Sequence, residues 1–267
     1  MYLAPSLRDA SPAPDARLGR LRRWNGAMAA LHLGQAVVIL LVASPFSLPV
    51  TSAFLRMSEE TQRLVAVPGE IGRLRIGPLV AAFFLLSAAS HAAVASPWLR
   101  RWYERNLTRG INPARWVEYA LSSSVMIVVI AMLVGIYDVA SLVLIFALNA
   151  TMILFGWLQE RMNPPGRSKT TMMPFWFGTL AGMAPWAAIW VNVIGAAKVP
   201  GFVYGIVISL FLFFNVFAIV QWLQYKQIGR FADYLAGERF YIVLSFVAKS
   251  ALAWQIFGGV LGSSAAG

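Results

Sequence analysis

The sequence predicts an all-α membrane protein, a bundle of seven transmembrane helices. Three observations lead there. Of 267 residues, 59% are hydrophobic and only 12% charged, a balance that suits lipid better than water. The apolar residues fall into seven stretches, each close to the ~20 residues that cross the hydrocarbon layer. The last stretch, FYIVLSFVAKSALAWQIFGGVLG, holds a single charge, Lys249, near its middle. A lysine at mid-bilayer costs about 2.5–3.5 kcal/mol on insertion scales. Snorkelling relieves that only near a helix end, and Lys249 lies about 15 Å along the helix from Arg239. The amine is therefore expected to be used, either as a neutral nucleophile that forms an imine or in a buried ion pair.

The elements follow in order. The first 16 residues are rich in proline and alanine and lack the apolar core of a signal peptide, so residues 1–23 read as a flexible basic tail. The spans lie at about 24–44, 76–98, 114–136, 139–159, 173–196, 201–225 and 238–262, which makes 24–262 one transmembrane domain and leaves 263–267 as a C-terminal tail. Asn112-Pro113 places a capping side chain before a proline at the first helical position, so the third span starts there. Pro78, Pro185 and Pro200 fall inside or at the ends of spans, where helices in lipid tolerate them. The longest connection, about residues 45–75, holds two strand-like pieces, LPVTSAFL and RLVAV, separated by MSEETQ. They predict a two-stranded ribbon, and a loop of this length is generally functional or ordered by a partner. Contact with a second copy of the chain is its expected use.

Charge then sets orientation. The net charge of +11 comes from short basic clusters between apolar stretches, which is a topology signal and not a nucleic-acid surface. The tail and the alternate loops after it (Arg100 to Arg115, Arg161 to Lys169, Lys226 to Arg239) carry 16 basic residues, and the other side carries five. The N-terminus is expected in the cytoplasm and the C-terminus outside. Cysteine is absent, which excludes disulfides and thiolate metal sites. No metal-ligand spacing, phosphate-cradling glycine loop or nucleophile elbow stands at a credible position, so the chain is not expected to be an enzyme.

Besides Lys249, only Glu118 reads as a charge well inside a span. The third and seventh spans start on the same side and run parallel, and helical side chains lean toward the N-terminus, so Lys249 leans toward the level of Glu118. Two readings stay open: Glu118 is the anion for Lys249, or it pairs at the interface with Arg115, one turn earlier. Other polar residues sit at helical spacing: His32 with Gln35, Ser87 with His91, Ser122 to Ser124, Asn149, Asn215, Gln221, and Ser245 four before Lys249. Both histidines of the chain lie in spans, either as hydrogen-bonded packing residues or as members of a proton network. Trp24, Trp98 and Trp102 fit interfacial belts. Trp116, Trp176, Phe214 and Trp254 lie on spans, either packed or walling an elongated apolar ligand.

Seven helices with a lysine midway along the last resemble the rhodopsin arrangement. The blocks RWVEYALSSSVM, NATMILFGWLQE, PFWFG, VPGFVYGIVISLFLFFNVFAIVQWLQYK and ERFYIVLSFVAKSALAWQIF resemble heliorhodopsins specifically, from about Trp24 to the end of the last span. That family lies inverted relative to other microbial rhodopsins, in agreement with the arginine count. The resemblance implies a light-absorbing photoreceptor in the cell membrane, binding all-trans retinal as a protonated Schiff base. Lys249 stands at the attachment position and Glu118 at the counterion position. Ser245, His32, His91, Ser87, Gln35 and Tyr119 stand at positions of the Schiff-base and proton network. Trp116, Ser123, Met126, Asn149, Met152, Ile153, Gly156, Trp176, Phe214 and Gln221 stand around the polyene. The family also implies a homodimer in the lipid bilayer, sensory output through an unidentified cytoplasmic partner, and a slow photocycle. The rival is a light-driven proton or ion transporter. Outward proton pumps typically carry acceptor and donor carboxylates eleven residues apart in the third helix; here positions 118, 122 and 129 read Glu118, Ser122 and Val129.

Overall fold

A computed structural model describes residues 14–264. Eight helices and one hairpin follow one another: α1 (Pro14–Val42), β1 (Ser47–Met57), β2 (Leu64–Arg75), α2 (Ile76–Ala95), α3 (Pro97–Thr108), α4 (Pro113–Leu133), α5 (Val139–Met162), α6 (Met173–Gly195), α7 (Gly201–Tyr225) and α8 (Tyr234–Ser264). Seven of them, all but α3, are long and apolar enough to cross a membrane, and the chain is a multi-pass membrane protein.

Helix ends match the local chemistry. Asn112 caps α4 by accepting a hydrogen bond from the Arg115 backbone N–H at 3.1 Å, and Pro113 follows where its missing N–H costs nothing. Asp138 caps α5 through the Ser141 N–H at 2.9 Å. Gly135, at φ +93, turns the chain out of α4 in a conformation that a side chain resists. Ser96-Pro97 ends the second span three residues before the expected limit and starts the short helix α3, which sequence reading had left as loop. Tyr103 of α3 is buried against the bundle, and burial pushes its phenol pKa above the ordinary range.

Two boundaries correct the sequence reading. Helix α1 begins at Pro14, so residues 14–23 of the expected flexible tail are helical; residues 1–13 lie outside the described residues. Helix α8 begins at Tyr234 and runs to Ser264, beyond both expected limits, and residues 265–267 of the expected C-terminal tail lie outside the described residues.

The expected ribbon is present. β1 and β2 pair antiparallel from Ser47↔Arg75 to Met57↔Leu64, with a register irregularity at Val50/Thr51. The Thr51 N–H donates to the Tyr137 carbonyl at 2.9 Å and ties the ribbon to the α4–α5 turn. Every residue of β2 is exposed, including Leu64, Val65, Val67 and Ile71.

The interior is divided along the membrane normal. In the ribbon-side half, Phe83, Phe84, Ile127, Ile130, Met132, Ile189, Leu210 and Leu252 form a closely packed apolar core. At the opposite end a smaller cluster, Leu21, Val94, Tyr103, Leu107 and Ile242, closes the bundle. Buried polar and charged side chains include His32, Ser87, Arg115, Glu118, Glu160, Glu238, Ser245 and Lys249.

Candidate functional site

Lys249 and Glu118 meet at the centre. The Lys249 Nζ stands 3.3 Å from a Glu118 carboxylate oxygen, and both side chains are almost wholly shielded from solvent. Nζ also donates to Ser245 Oγ at 2.7 Å and lies 5.3 Å above the Tyr119 ring. Ser245 is one turn before Lys249, so the same helix supplies amine and acceptor. On the other side of the pair, the Ser87 hydroxyl donates to Glu118 at 2.6 Å. The two open readings of Glu118 are thereby separated: its cation is Lys249, not Arg115.

Arg115 has other partners, buried carboxylates near the ends of the fifth and eighth helices that the sequence does not single out. Its guanidinium reaches Glu160 of α5 at 2.5 Å and Glu238 of α8 at 2.5 Å, all three buried. It is sandwiched between the rings of Trp116 at 4.5 Å and Tyr241 at 4.2 Å. The cluster's carboxylates are well satisfied, whereas the Arg115 Nε has no hydrogen-bond partner among the described residues. Glu160 also accepts from the Asn112 N–H at 2.8 Å, the Trp116 Nε1–H at 2.6 Å and the Tyr234 hydroxyl at 3.1 Å, and Glu238 accepts from the Asn112 side chain at 2.6 Å. Glu160 lies one residue beyond the expected fourth span, 139–159, and Glu238 is the first residue of the expected seventh, 238–262, so neither counts as well inside a span. Spacing was the available signal. Asn149, Ile153, Gly156 and Glu160 share one helical face, as do Glu238, Ile242, Ser245 and Lys249.

The histidines lie together beside this path. The rings of His32 and His91 stack at 5.5 Å, and His91 Nδ1 is 2.7 Å from the Asn25 side-chain oxygen. His32 is fully buried, with Phe84 and Phe246 on its other faces, and neither ring nitrogen has a hydrogen-bond partner among the described residues. A recess of about 340 Å³ joins His91 to Glu118, and Asn25, Arg115 and Glu238 also line it. Gln35 does not join. It donates to Ser250 at 2.8 Å and accepts from Trp254 Nε1 at 3.1 Å in the α1–α8 seam, because its position on α1 turns it away from His32 and toward α8.

An apolar cavity with about 410 Å³ of empty space runs from Lys249 between α4, α5, α7 and α8. Tyr119, Ser123 and Met126 line it from α4, Met152 and Ile153 from α5, Phe214 and Phe217 from α7. Its only charged lining group is the amine. Asn149 sits behind Ser123, donating to it at 2.8 Å and to Ser124 at 3.0 Å. Gln221 donates to the Gly156 carbonyl at 3.2 Å. Gly156 is required by contact: a Cβ there would stand 2.3 Å from the Trp116 ring. Gly156→Ala is expected to displace Trp116 and destabilise the fold by about 1–3 kcal/mol, read as a lower thermal-unfolding midpoint. Trp176 is a correction. It is 58% exposed and packs on Phe175 on the outer face of α6, so it does not wall the cavity.

These residues fit a long apolar aldehyde. The cavity lies between four helices, is lined mainly by apolar surface, and includes one amine whose charge is opposed by one carboxylate.

Comparison with known proteins follows the same line. A search of curated proteins returns no match. Among solved structures, the transmembrane domain of Salpingoeca rosetta rhodopsin phosphodiesterase aligns with TM-score 0.63 at 14% identity over 95% of this chain and 90% of the other. The same protein's transmembrane domain with its linker gives 0.64 at 13% identity, over 94% and 83%. A light-driven proton pump from Leptosphaeria maculans gives 0.62 at 13% identity, over 90% and 95%. At these identities the likeness establishes a rhodopsin-like fold. The heliorhodopsin family model matches residues 21–261, nearly the whole chain, and the chain belongs to the heliorhodopsin family, whose members are retinal-dependent photoreceptors and not enzymes.

Proposed function

We propose that the protein is a sensory photoreceptor in which Lys249 carries all-trans retinal as a protonated Schiff base and Glu118 is its counterion. The observation that supports this most is the Lys249–Glu118 contact of 3.3 Å beside an apolar cavity that Lys249 lines. Condensation of the retinal aldehyde with the amine releases water and supplies a conjugated cation that absorbs visible light and isomerises. The protein's own groups do the rest. Glu118 opposes the positive charge in a site of low dielectric, and Ser87 holds the carboxylate oxygen in place. Ser245 accepts the hydrogen bond from Nζ, and its hydroxyl can relay a proton by passing on its own. His32 and His91 extend that route toward Asn25. Met126, Met152 and Phe214 exclude water from the cavity.

From Glu118 the buried charged groups continue toward one end of the bundle only, with Arg115, Glu160 and Glu238 among the described residues. Toward the ribbon the core is apolar, with Ile127, Ile130, Met132 and Leu252 wholly buried. A proton leaving Nζ therefore has titratable groups on one side and, on the other, only the neutral Ser122, Ser124 and Asn149 before the apolar core, which favours storage and return over transport. Slow helix rearrangement is the output of such a cycle. By the arginine distribution, the polar end faces the cytoplasm, where an unidentified signalling partner would read the change. The exposed ribbon fits contact with a second copy of the chain.

Transport is the second reading, and the recess joining Glu118 and His91 to Glu238 favours it. Both extra carboxylates, however, are engaged by Arg115. Illuminated cells are expected to show no pH change; a change abolished by a protonophore would establish transport instead. The counterion assignment has its own test. Glu118→Gln is expected to shift absorption to longer wavelength, because removal of the fixed anion lets positive charge spread along the polyene. An unchanged spectrum would contradict the assignment.

A further inference from the structure

We propose that the end of the bundle where α1 and α8 begin holds a site for one anionic phospholipid headgroup, seated between Arg17, Arg20 and Arg239. The two helices bring together arginines more than 200 positions apart in the chain, around a recess of about 320 Å³ whose remaining lining is Leu21 and Leu235. Arg17 is paired with Asp233. Arg20 and Arg239 have no carboxylate partner among the described residues, so two positive charges face the recess unopposed. Glu238, adjacent to Arg239 in sequence, is turned inward to Arg115 and does not neutralise it.

Chemistry and depth select the ligand. A guanidinium donates paired N–H groups that match two phosphate oxygens, and two such groups suit a single phosphodiester. Trp24, 37% exposed, marks the interfacial level on α1. Arg20 lies one turn further out, about 6 Å at ~1.5 Å per residue. The polar layer on each side of the hydrocarbon is about 5–7 Å thick, so the recess lies at headgroup level. Leu21 and Leu235 then offer an apolar floor to the glycerol and the first acyl carbons. Free inorganic phosphate shares the oxygen chemistry but makes no use of that floor. The inference is independent of retinal binding.

The test is native mass spectrometry of the full chain in delipidated detergent, titrated with dioleoylphosphatidylglycerol or dioleoylphosphatidylcholine. The wild type is expected to retain the glycerol lipid in preference to the choline lipid. Arg239→Gln should weaken retention about fivefold, and R20Q/R239Q about thirtyfold. The pair R22Q/R23Q, equal in charge but outside the recess, should retain the lipid like the wild type. Excess inorganic phosphate should leave the lipid adduct in place. Equal retention of both lipids, unchanged retention by R20Q/R239Q, or an equal loss in R22Q/R23Q would overturn the site. Displacement by phosphate would overturn its assignment to a lipid. Matching thermal-unfolding midpoints verify folding, and if the double variant does not fold, the fivefold effect of Arg239→Gln decides.

Discussion

Lys249→Ala is expected to yield a folded membrane protein that stays colourless when all-trans retinal is supplied, while the wild type becomes coloured. The whole visible band is expected to vanish, since no other lysine faces the cavity. The substitution also removes the cation of a buried pair, and an uncompensated buried carboxylate costs about 3–5 kcal/mol. Loss of colour alone would therefore confuse a missing attachment point with a destabilised fold. The double variant Lys249→Met with Glu118→Gln separates them. It removes both charges, so it should recover most of the lost stability and remain colourless. A coloured double variant would place the chromophore elsewhere.

Arg115→Met is expected to produce the largest loss of stability in the protein. It leaves Glu160 and Glu238 facing each other inside the bundle without their shared cation, at a cost of about 3–5 kcal/mol or more. Arg115→Lys should recover only part of it. An ammonium is a point charge that cannot span two carboxylates on different helices and also stack between Trp116 and Tyr241. The rescue is chemical: Arg115→Met combined with Glu160→Gln and Glu238→Gln should unfold at a higher temperature than Arg115→Met alone. Equal midpoints for the single and triple variants would show that the cluster is not an electrostatic unit.

The seven spans, the ribbon and the Asn112 cap were legible in the sequence because each follows from local chemistry. Span length, strand alternation and a capping side chain need no knowledge of the neighbours. Lys249 was legible for a related reason, since a charge far from any interface has to find a partner, whereas the residues alone left Glu118 open between Lys249 and Arg115. The Arg115 cluster was not read, because Glu160 and Glu238 lie at span ends, where a carboxylate in water and one turned inward look the same. Their shared helical faces with Gly156 and Ser245 carried the information. Trp176 and Gln35 failed in the opposite sense. Each occupies a position that resemblance implied for the site, yet the rotation of α6 and the α1–α8 seam decide where they point. Helix α3 is short and amphipathic, too polar for a span search to find.

The most direct measurement of the central claim is borohydride reduction of the retinal-loaded protein under illumination, followed by peptide mass mapping. A retinyl adduct is predicted on the α8 peptide containing Lys249 and on no other lysine. Absence of that adduct from coloured protein, or its appearance at another lysine, would contradict the account.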